Sequence, residues 1–240
     1  MKHGFFITGT DTGIGKTYAS IALLQTLAAR GLSTAAMKPI ASGCHATTQG
    51  FRNDDALQLQ QAATIQLPYE RLNPYALPAA IAPHLAAQAA GIEIDIALLA
   101  EHFNDIATQA EAIIVEGVGG WLVPLNDKQT TADLAQRLGL PLILVVGIRL
   151  GCINHALLTL TTIQQDKANP PLAGWIANCM DPEASAIEAN IAALQRRITA
   201  PLLGTLPYSQ NAETRSAGTQ AGFLDIDRLL AKDYCRQSAP

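Results

Sequence analysis

A glycine-rich loop near the start of the chain places the strongest constraint on its fold. The stretch GTDTGIGKT, residues 9–17, follows the apolar run FFIT and precedes an apolar segment with helical spacing. In a strand, glycine-rich loop and helix of this kind, backbone N–H groups and the helix N-terminus hold phosphate oxygens. The lysine reaches the outer oxygens, and the threonine hydroxyl can ligate Mg²⁺. The loop therefore predicts a site for a nucleotide phosphate.

The spacing of this loop departs from the usual pattern by one residue. Gly9 lies six residues before Gly15, and Thr10 stands where GxxxxGK[ST] has its first glycine. The alternative interpretation is a glycine-rich turn between strand and helix that binds nothing. Because the GKT sequence follows a strand and opens a helix, we favour the phosphate.

Strand-like apolar runs alternate with longer amphipathic segments along the chain. Uniformly apolar runs are typical of parallel strands covered on both faces. We predict strands at 5–8, 34–38, 112–116, 142–146, 172–178 and 202–206. We predict helices at 16–30, 54–63, 95–109, 131–138, 154–165, 183–198 and 224–231. This order predicts one α/β domain over residues 1–240, a three-layer fold with a mainly parallel central sheet and helices on both faces.

Composition restricts the class of ligand. The chain is 49% hydrophobic and carries a net charge of −4, which gives no basic field to attract nucleic acid or an anionic membrane. Its longest apolar run, 138–148, is shorter than the roughly 20 residues that a membrane helix needs. No export signal precedes the first strand, and the four cysteines show no CxxC spacing. We therefore predict a cytoplasmic protein that acts on small molecules, without nucleic acid or membrane partners.

Charged residues follow the predicted strands at the edge where ligands bind in such sheets. Glu116 ends the run AIIVE, and Asp55 lies at the start of a predicted helix. Both could hold Mg²⁺, which prefers hard oxygen ligands; alternatively, Glu116 is a solvated strand-end acid and Asp54 or Asp55 a helix N-cap. Lys38 ends the second strand, where it could stabilise a transferring phosphoryl group or extend its ammonium to water.

Several stretches together resemble the dethiobiotin synthetase family, the ATP-dependent ligases of biotin biosynthesis. The likeness runs from residue 7 to residue 208 and is carried by GTDTGIGKT, KPIASG, RNDDALQLQ, NPYALPAAIAPH, VEGVGGW, LVVGIRLGCINHALLT, GWIAN and PLLGTLPY. The resemblance implies a P-loop NTPase-like fold and a homodimer with an active site at each subunit interface. It also implies that 7,8-diaminononanoate, CO2 or bicarbonate, and ATP with Mg²⁺ give dethiobiotin, ADP and phosphate, through a carbamate and a carbamic-phosphoric anhydride.

The resemblance further implies roles for individual residues. Catalysis would involve Lys38, Lys16 and Thr12, and Mg²⁺ would be held by Thr17, Asp55 and Glu116. ATP would contact Gly13, Ile14, Gly15, Lys16, Thr17, Tyr18, Asp55, Glu116, Asn178, Pro207, Tyr208 and Glu213. The diamine would contact Thr12, Lys38, Ser42, Gly117, Val118, Gly119, Gly151, Cys152, Ile153 and Asn154.

Two asparagines have more than one interpretation. By resemblance, Asn154 reaches the diamine across the dimer interface, but its position also suits a helix N-cap. Asn178 matches the family's adenine-recognising asparagine. The stretch NCMD at 178–181 also resembles the guanine-reading NKxD of GTPases, but Cys179 replaces the lysine, which favours adenine.

The chain departs from the family at Gly13, where glutamate is frequent, and at Arg149, where lysine is common. The alternative function is a nucleotide-switch ATPase that positions a partner protein, a branch of the same fold. That branch typically has a second lysine at the start of its loop, as in KGGxGKT, and residues 9–11 here contain none. Prolines at 74, 78 and 83 predict an irregular connection that could close over the substrate.

Overall fold

A six-stranded parallel sheet forms the centre of the protein. The computed structural model describes residues 1–181, 186–209 and 222–231. In spatial order, the sheet contains β10 (Leu202–Leu206), β9 (Leu172–Cys179), β8 (Leu142–Ile148), β1 (His3–Gly9), β7 (Ala112–Glu116) and β2 (Thr34–Met37). Each neighbouring pair is parallel. All six predicted strands are present, and the predicted central parallel sheet is confirmed.

Helices cover both faces of this sheet. They are α1 (Lys16–Ala29), α2 (Asp54–Ala62), α3 (Tyr69–Leu72), α4 (Pro83–Ala89), α5 (Ile96–Ala107), α6 (Thr131–Leu138), α7 (Cys152–Gln165), α8 (Ile187–Gln195) and α9 (Asp227–Ala231). Successive side chains of β1 point to opposite faces, as a strand requires: Phe5 packs in the core beside α1, and Phe6 in the core beside α5. The predicted layers of helices on both faces are therefore confirmed.

Some predicted helix boundaries are wrong. The helix α7 begins at Cys152, two residues before the predicted start. The helix α9 begins at Asp227, because Leu224 forms an antiparallel bridge with Gly204 instead. The predicted helix over 183–198 corresponds to α8, but residues 182–185 lie outside the described residues. No helix in the described part of the chain is long and apolar enough to span a membrane.

The segment between β2 and α5 has more structure than predicted. Two small sheets lie here: β3 (Ile40–Ser42) pairs with β6 (Tyr75–Leu77) in parallel, and β4 (His45–Thr47) forms a hairpin with β5 (Gly50–Arg52). Pro83 opens α4, where its missing N–H is not needed. The prediction of an irregular connection is confirmed only in part, because residues 73–74 and 78–82 are irregular, but α3, β6 and α4 interrupt them.

Candidate nucleotide and substrate site

A cleft of about 650 Å³ opens at the carboxyl ends of β1, β2 and β7. Twelve residues predicted for the site line it: Thr12, Gly13, Gly15, Lys16, Thr17, Tyr18, Lys38, Ser42, Asp55, Glu116, Val118 and Gly119. Among the described residues, Ile14, Gly117, Gly151, Cys152, Ile153, Asn154, Asn178, Pro207 and Tyr208 lie outside this lining. Glu213 falls outside the described residues. The structure thus brings the predicted phosphate, metal and reaction residues together in one cleft.

The phosphate loop carries a buried lysine at its end. Gly15 has φ +88°, a left-handed conformation that glycine adopts without strain, and it is the N-cap of α1. The next residue, Lys16, is 7% exposed, and its Nζ donates to the Asp11 carbonyl at 2.8 Å. Burial, and then the charge of Lys38, lower the pKa of Lys16 to about 8. A phosphate bound in this loop would offset both effects, because its negative charge favours the charged form of Lys16.

Lys38 and Glu116 form the charged centre of the cleft. Glu116 is fully buried, and its Oε1 accepts from Lys38 Nζ at 2.5 Å and from Thr17 Oγ1 at 2.9 Å. Lys38 is 5% exposed, and its Nζ also lies 3.9 Å from Asp55 Oδ2. The alternative interpretations, a solvated acid and a lysine reaching water, are therefore wrong. Burial alone would lower the pKa of Lys38, but the charges of Glu116 and Asp55 outweigh it and raise the pKa.

The residues predicted for Mg²⁺ fit that ion. Oε2 of Glu116 is buried and has no hydrogen-bond partner in the described structure, and Glu116 belongs to the cleft lining. Asp55 keeps its carboxylate at the cleft, half-exposed, because the N-cap of α2 is Asn53, whose side chain accepts from Ala56 N. The alternative interpretation, that Asp54 or Asp55 caps this helix, is therefore wrong. With Thr17, these groups form an oxygen-only donor set, as Mg²⁺ prefers.

The lining of the cleft also includes apolar side chains and one unpaired hydroxyl. Ser42 belongs to this lining, and its Oγ is buried and lacks a hydrogen-bond partner in the described chain. The apolar side chains are those of Ile81, Val118 and Val123. A hydroxyl of this kind is available to a ligand, and the apolar side chains suit an alkyl chain. Sequence reasoning had not assigned Ile81 or Val123, although Ile81 belongs to the motif NPYALPAAIAPH.

Asn178 contacts the phosphate loop directly. It is 5% exposed, and its Nδ2 donates to the Ile14 carbonyl at 2.8 Å. A Cβ at Gly15 would lie 2.1 Å from this Nδ2, so the loop and the amide are in close contact. Its Oδ1 is buried without a partner among the described residues, which leaves an acceptor for a ligand donor. Pro207, exposed, and Tyr208, partly buried, follow the adjacent strand β10.

The residues at the N-terminus of α7 do not line the cleft of the same chain. Gly151 is its N-cap with φ +92°, and Asn154 is the third helical residue and exposed. The alternative interpretation of Asn154 as the N-cap is therefore wrong. Arg149, three residues before α7, forms a salt bridge with the Asp11 carboxylate at 2.7 Å. This salt bridge links the residues just before α7 to the phosphate loop.

Solved structures with this fold define the class of protein. The chain matches a ParA family ATPase from Chlorobium tepidum TLS with a TM-score of 0.53 and 13% identity, over 98% of this chain and 96% of that chain. It matches the MinC:MinD cell division protein complex of Aquifex aeolicus with a TM-score of 0.54 and 16% identity, over 89% of this chain and 84% of that chain. At such identities the likeness shows the fold alone. Together with the loop, it defines a P-loop NTPase-like α/β protein.

Sequence relatives identify the family within that class. A family model described as an AAA domain matches residues 3–216. The chain is 50% identical to ATP-dependent dethiobiotin synthetase BioD of Xanthomonas euvesicatoria pv. vesicatoria (strain 85-10), over 95% of this chain and all of the relative. It is 50% identical to the protein of the same name from Cellvibrio japonicus (strain Ueda107), over 95% and 98%. The chain belongs to the ATP-dependent dethiobiotin synthetase family.

Proposed function

We propose that this cleft catalyses the reaction of its family, the ATP-dependent formation of dethiobiotin from 7,8-diaminononanoate and CO2 in biotin biosynthesis. The observation that carries this proposal is the meeting of Lys16, Lys38, Thr17 and Glu116 at one cleft beside the phosphate loop. Such a site suits phosphoryl transfer, in which cations and backbone donors stabilise charge on oxygen. The enzyme is a ligase that forms carbon–nitrogen bonds.

The reaction proceeds in three steps. One amine of the diamine takes up CO2 and releases a proton, which gives a carbamate. A carbamate oxygen then attacks the γ-phosphorus of ATP, and ADP leaves. Finally, the second amine attacks the carbamate carbon, the C–O bond breaks, and phosphate leaves with that oxygen as the cyclic urea closes. The protein supplies no nucleophile in this sequence, and no histidine or cysteine is among the described residues that line the cleft.

The two buried lysines have separate roles in this proposal. Lys16 lies at the end of the phosphate loop and binds the outer phosphates. Their negative charge offsets the cost of burying its ammonium group, the cost that lowers its pKa in the unliganded protein. Lys38 lines the same cleft as the loop and Ser42, and it stabilises charge on the carbamate and on the transferring phosphoryl group. Both ammonium groups are held in a site with little water, where their electrostatic effect on a transition state is large.

Thr17, Asp55 and Glu116 would hold Mg²⁺, and their oxygen donors support this assignment. When bound, Mg²⁺ neutralises phosphate oxygens and orients the triphosphate. Thr17 would exchange its present bond to Glu116 for the ion. Asp55, half-exposed, would add its carboxylate to the same donor set.

The remaining predicted residues divide between the two substrates. We assign Ser42, Thr12, Val118 and the glycines at 117 and 119 to the diamine, and Gly13, Ile14, Tyr18, Asn178, Pro207, Tyr208 and Glu213 to ATP. The unpaired Oδ1 of Asn178 supports adenine, whose exocyclic amine is a donor. We place residues 151–154 at the diamine carboxylate of the partner subunit, so the proposal includes a homodimer, acting in the cytoplasm.

The alternative function, a switch ATPase that positions a partner protein, is less well supported. The ParA and MinD structures share the fold, but residues 9–11 lack the second lysine typical of that branch. Sequence identity of 50% to dethiobiotin synthetases over nearly the whole chain also favours the ligase.

Mass spectrometry tests the proposed function. Purified protein is incubated with diaminononanoate, bicarbonate, Mg²⁺ and ATP, and each component is omitted in turn. We expect dethiobiotin in the complete mixture and none in the four omissions. If the complete mixture hydrolyses ATP without forming dethiobiotin, the ligase assignment fails and the switch ATPase becomes the function to pursue.

A further inference from the structure

Two residues outside the main sheet form hydrogen bonds with the backbone of Lys38. Lys38 is the first residue after β2. Its N–H donates to the Leu72 carbonyl at 2.8 Å, and its carbonyl accepts from Asn73 Nδ2 at 2.6 Å. Both partners lie at the end of the short helix α3. The place of this reactive lysine is therefore fixed by α3.

The same short helix also contacts the start of α2, which carries Asp55. The Tyr69 hydroxyl donates to Asn73 Oδ1 at 2.9 Å and accepts from the Asn53 N–H at 2.8 Å. Asn53 is the N-cap of α2, two residues before Asp55. One buried hydrogen-bond chain thus runs from the Lys38 carbonyl through Asn73 and Tyr69 to the helix that presents Asp55.

This chain has little freedom to move. Tyr69 is 6% exposed and Asn73 is 2% exposed, so water does not replace the bonds. The Arg52 guanidinium lies over the Tyr69 ring, 4.1 Å from its centroid, and its NH2 pairs with Glu70 at 3.0 Å. A buried polar network satisfied in this way rigidifies the groups that it joins.

We propose that Tyr69 and Asn73 are positioning residues that hold Lys38 and Asp55 at their working separation across the cleft. Their effect on turnover rests on the proposed function; their effect on metal binding does not. The relevant distance is that between Lys38 Nζ and Asp55 Oδ2, 3.9 Å. A misplacement of about 1 Å in a catalytic group can cost roughly 100-fold in rate. Loss of the hydroxyl should therefore act on chemistry and on the metal site.

Tyr75→Phe provides a matched control for Tyr69→Phe. The Tyr75 hydroxyl also accepts from the N–H of a helix N-cap, that of Asp95 at 3.0 Å. The helix that follows, α5, contributes no residue to the cleft lining, whereas α2 contributes Asp55. We expect Tyr69→Phe to lower kcat about tenfold or more with little change in KM for ATP, and to weaken Mn²⁺ binding several-fold in electron paramagnetic resonance titrations with a non-hydrolysable ATP analogue. Tyr75→Phe should leave both quantities within about twofold. Equal effects of the two changes would overturn the proposal.

A double-mutant cycle separates positioning from general loss of structure. If Tyr69 acts through Lys38, Tyr69→Phe should lower the rate of a Lys38→Ala protein far less than that of the wild type. The same fold-loss in both backgrounds would contradict the proposal. Should Tyr69→Phe fail to fold, Asn73→Ala replaces it, since it removes the bond to the Lys38 carbonyl directly. If the wild type makes no dethiobiotin, the proposed function fails, and the Mn²⁺ titration alone decides whether these residues position the site.

Discussion

Lys38 and Glu116 lie side by side because the strands that carry them are neighbours in register. In the parallel pair β2 and β7, Met37 is the partner of Val115. Glu116 is the last residue of β7, and Lys38 is the first residue after β2. Their side chains meet with Nζ 2.5 Å from Oε1, and both residues are buried in the cleft lining. The pair therefore neutralises two buried charges that would each be costly alone.

Glu116→Gln should lower both stability and activity. The change leaves the Lys38 ammonium buried beside a neutral amide, so we expect the free energy of unfolding to fall by about 3 kcal/mol. Urea denaturation measures this quantity. The double variant Lys38→Met with Glu116→Gln should recover much of the lost stability but none of the dethiobiotin formation. A double variant as unstable as Glu116→Gln would show that the ion pair does not cause the loss.

Lys16→Met should stabilise the unliganded protein and abolish nucleotide binding. Burial lowers the pKa of Lys16 from its ordinary value of 10.5 to about 8, so the folded protein holds this charge at a cost. Below pH 8 the lysine is charged in both the folded and the unfolded protein, and the cost is present in full. As the pH rises from 8 towards 10.5, the folded protein loses its proton first and the cost disappears.

Denaturation at pH 7 and pH 10 tests this sign. We expect the free energy of unfolding of Lys16→Met to exceed that of the wild type by roughly 1 to 3 kcal/mol at pH 7. The lower figure allows for the lost hydrogen bond to the Asp11 carbonyl. At pH 10 the difference should be much smaller. Isothermal titration calorimetry should detect no ATP binding to the variant. A variant less stable than the wild type at pH 7 would contradict the explanation.

Two glycines of the phosphate loop should respond differently to alanine. Gly13 and Gly15 have φ of +71° and +88°, so a Cβ adds left-handed strain of about 1 kcal/mol at either position. A Cβ at Gly13 meets open space, whereas one at Gly15 would lie 2.1 Å from Asn178 Nδ2. We expect Gly15→Ala to weaken ATP binding by more than about tenfold and Gly13→Ala by a few-fold. Calorimetry that finds equal losses would show that contact with Asn178 does not set the loop geometry.

Ser42→Ala should affect the diamine and not ATP. Its hydroxyl has no partner among the described residues, so its removal should change the free energy of unfolding by less than about 0.5 kcal/mol. Loss of one hydrogen bond to substrate should raise KM for diaminononanoate about tenfold and leave KM for ATP unchanged. Ser20→Ala is the control, because its hydroxyl is equally buried and unpaired but lies on α1 outside the cleft lining. Similar kinetics of both variants would remove Ser42 from the substrate site.

Much of the fold follows from local sequence pattern. The uniformly apolar strands and the helical spacing after the phosphate loop locate the central sheet and α1. The phosphate loop and the rule that ligands bind at the carboxyl ends of parallel strands then bring Lys38 and Glu116 to one edge. Local sequence pattern does not give the order of the strands in the sheet. It therefore could not show that these two residues lie at the ends of adjacent strands.

The errors arose where a local rule had competing residues or distant partners. Asn53, Asp54 and Asp55 are all good N-caps, and backbone geometry selects Asn53, which leaves Asp55 free to face the cleft. The helix α3 has four residues, too few for a periodic signal. The contact of Asn73 with Lys38 joins residues 35 apart in the chain, so it could not be inferred from spacing.

The transfer of oxygen from CO2 to phosphate tests the central claim most directly. The reaction is run with C¹⁸O2 in unlabelled water, faster than CO2 exchanges oxygen with that water. If a carbamate oxygen attacks ATP, each phosphate released should contain one ¹⁸O. One such phosphate should be released for each dethiobiotin formed. Mass spectrometry of both products measures this ratio. Phosphate without ¹⁸O, formed together with dethiobiotin, would contradict phosphorylation of a carbamate in this cleft.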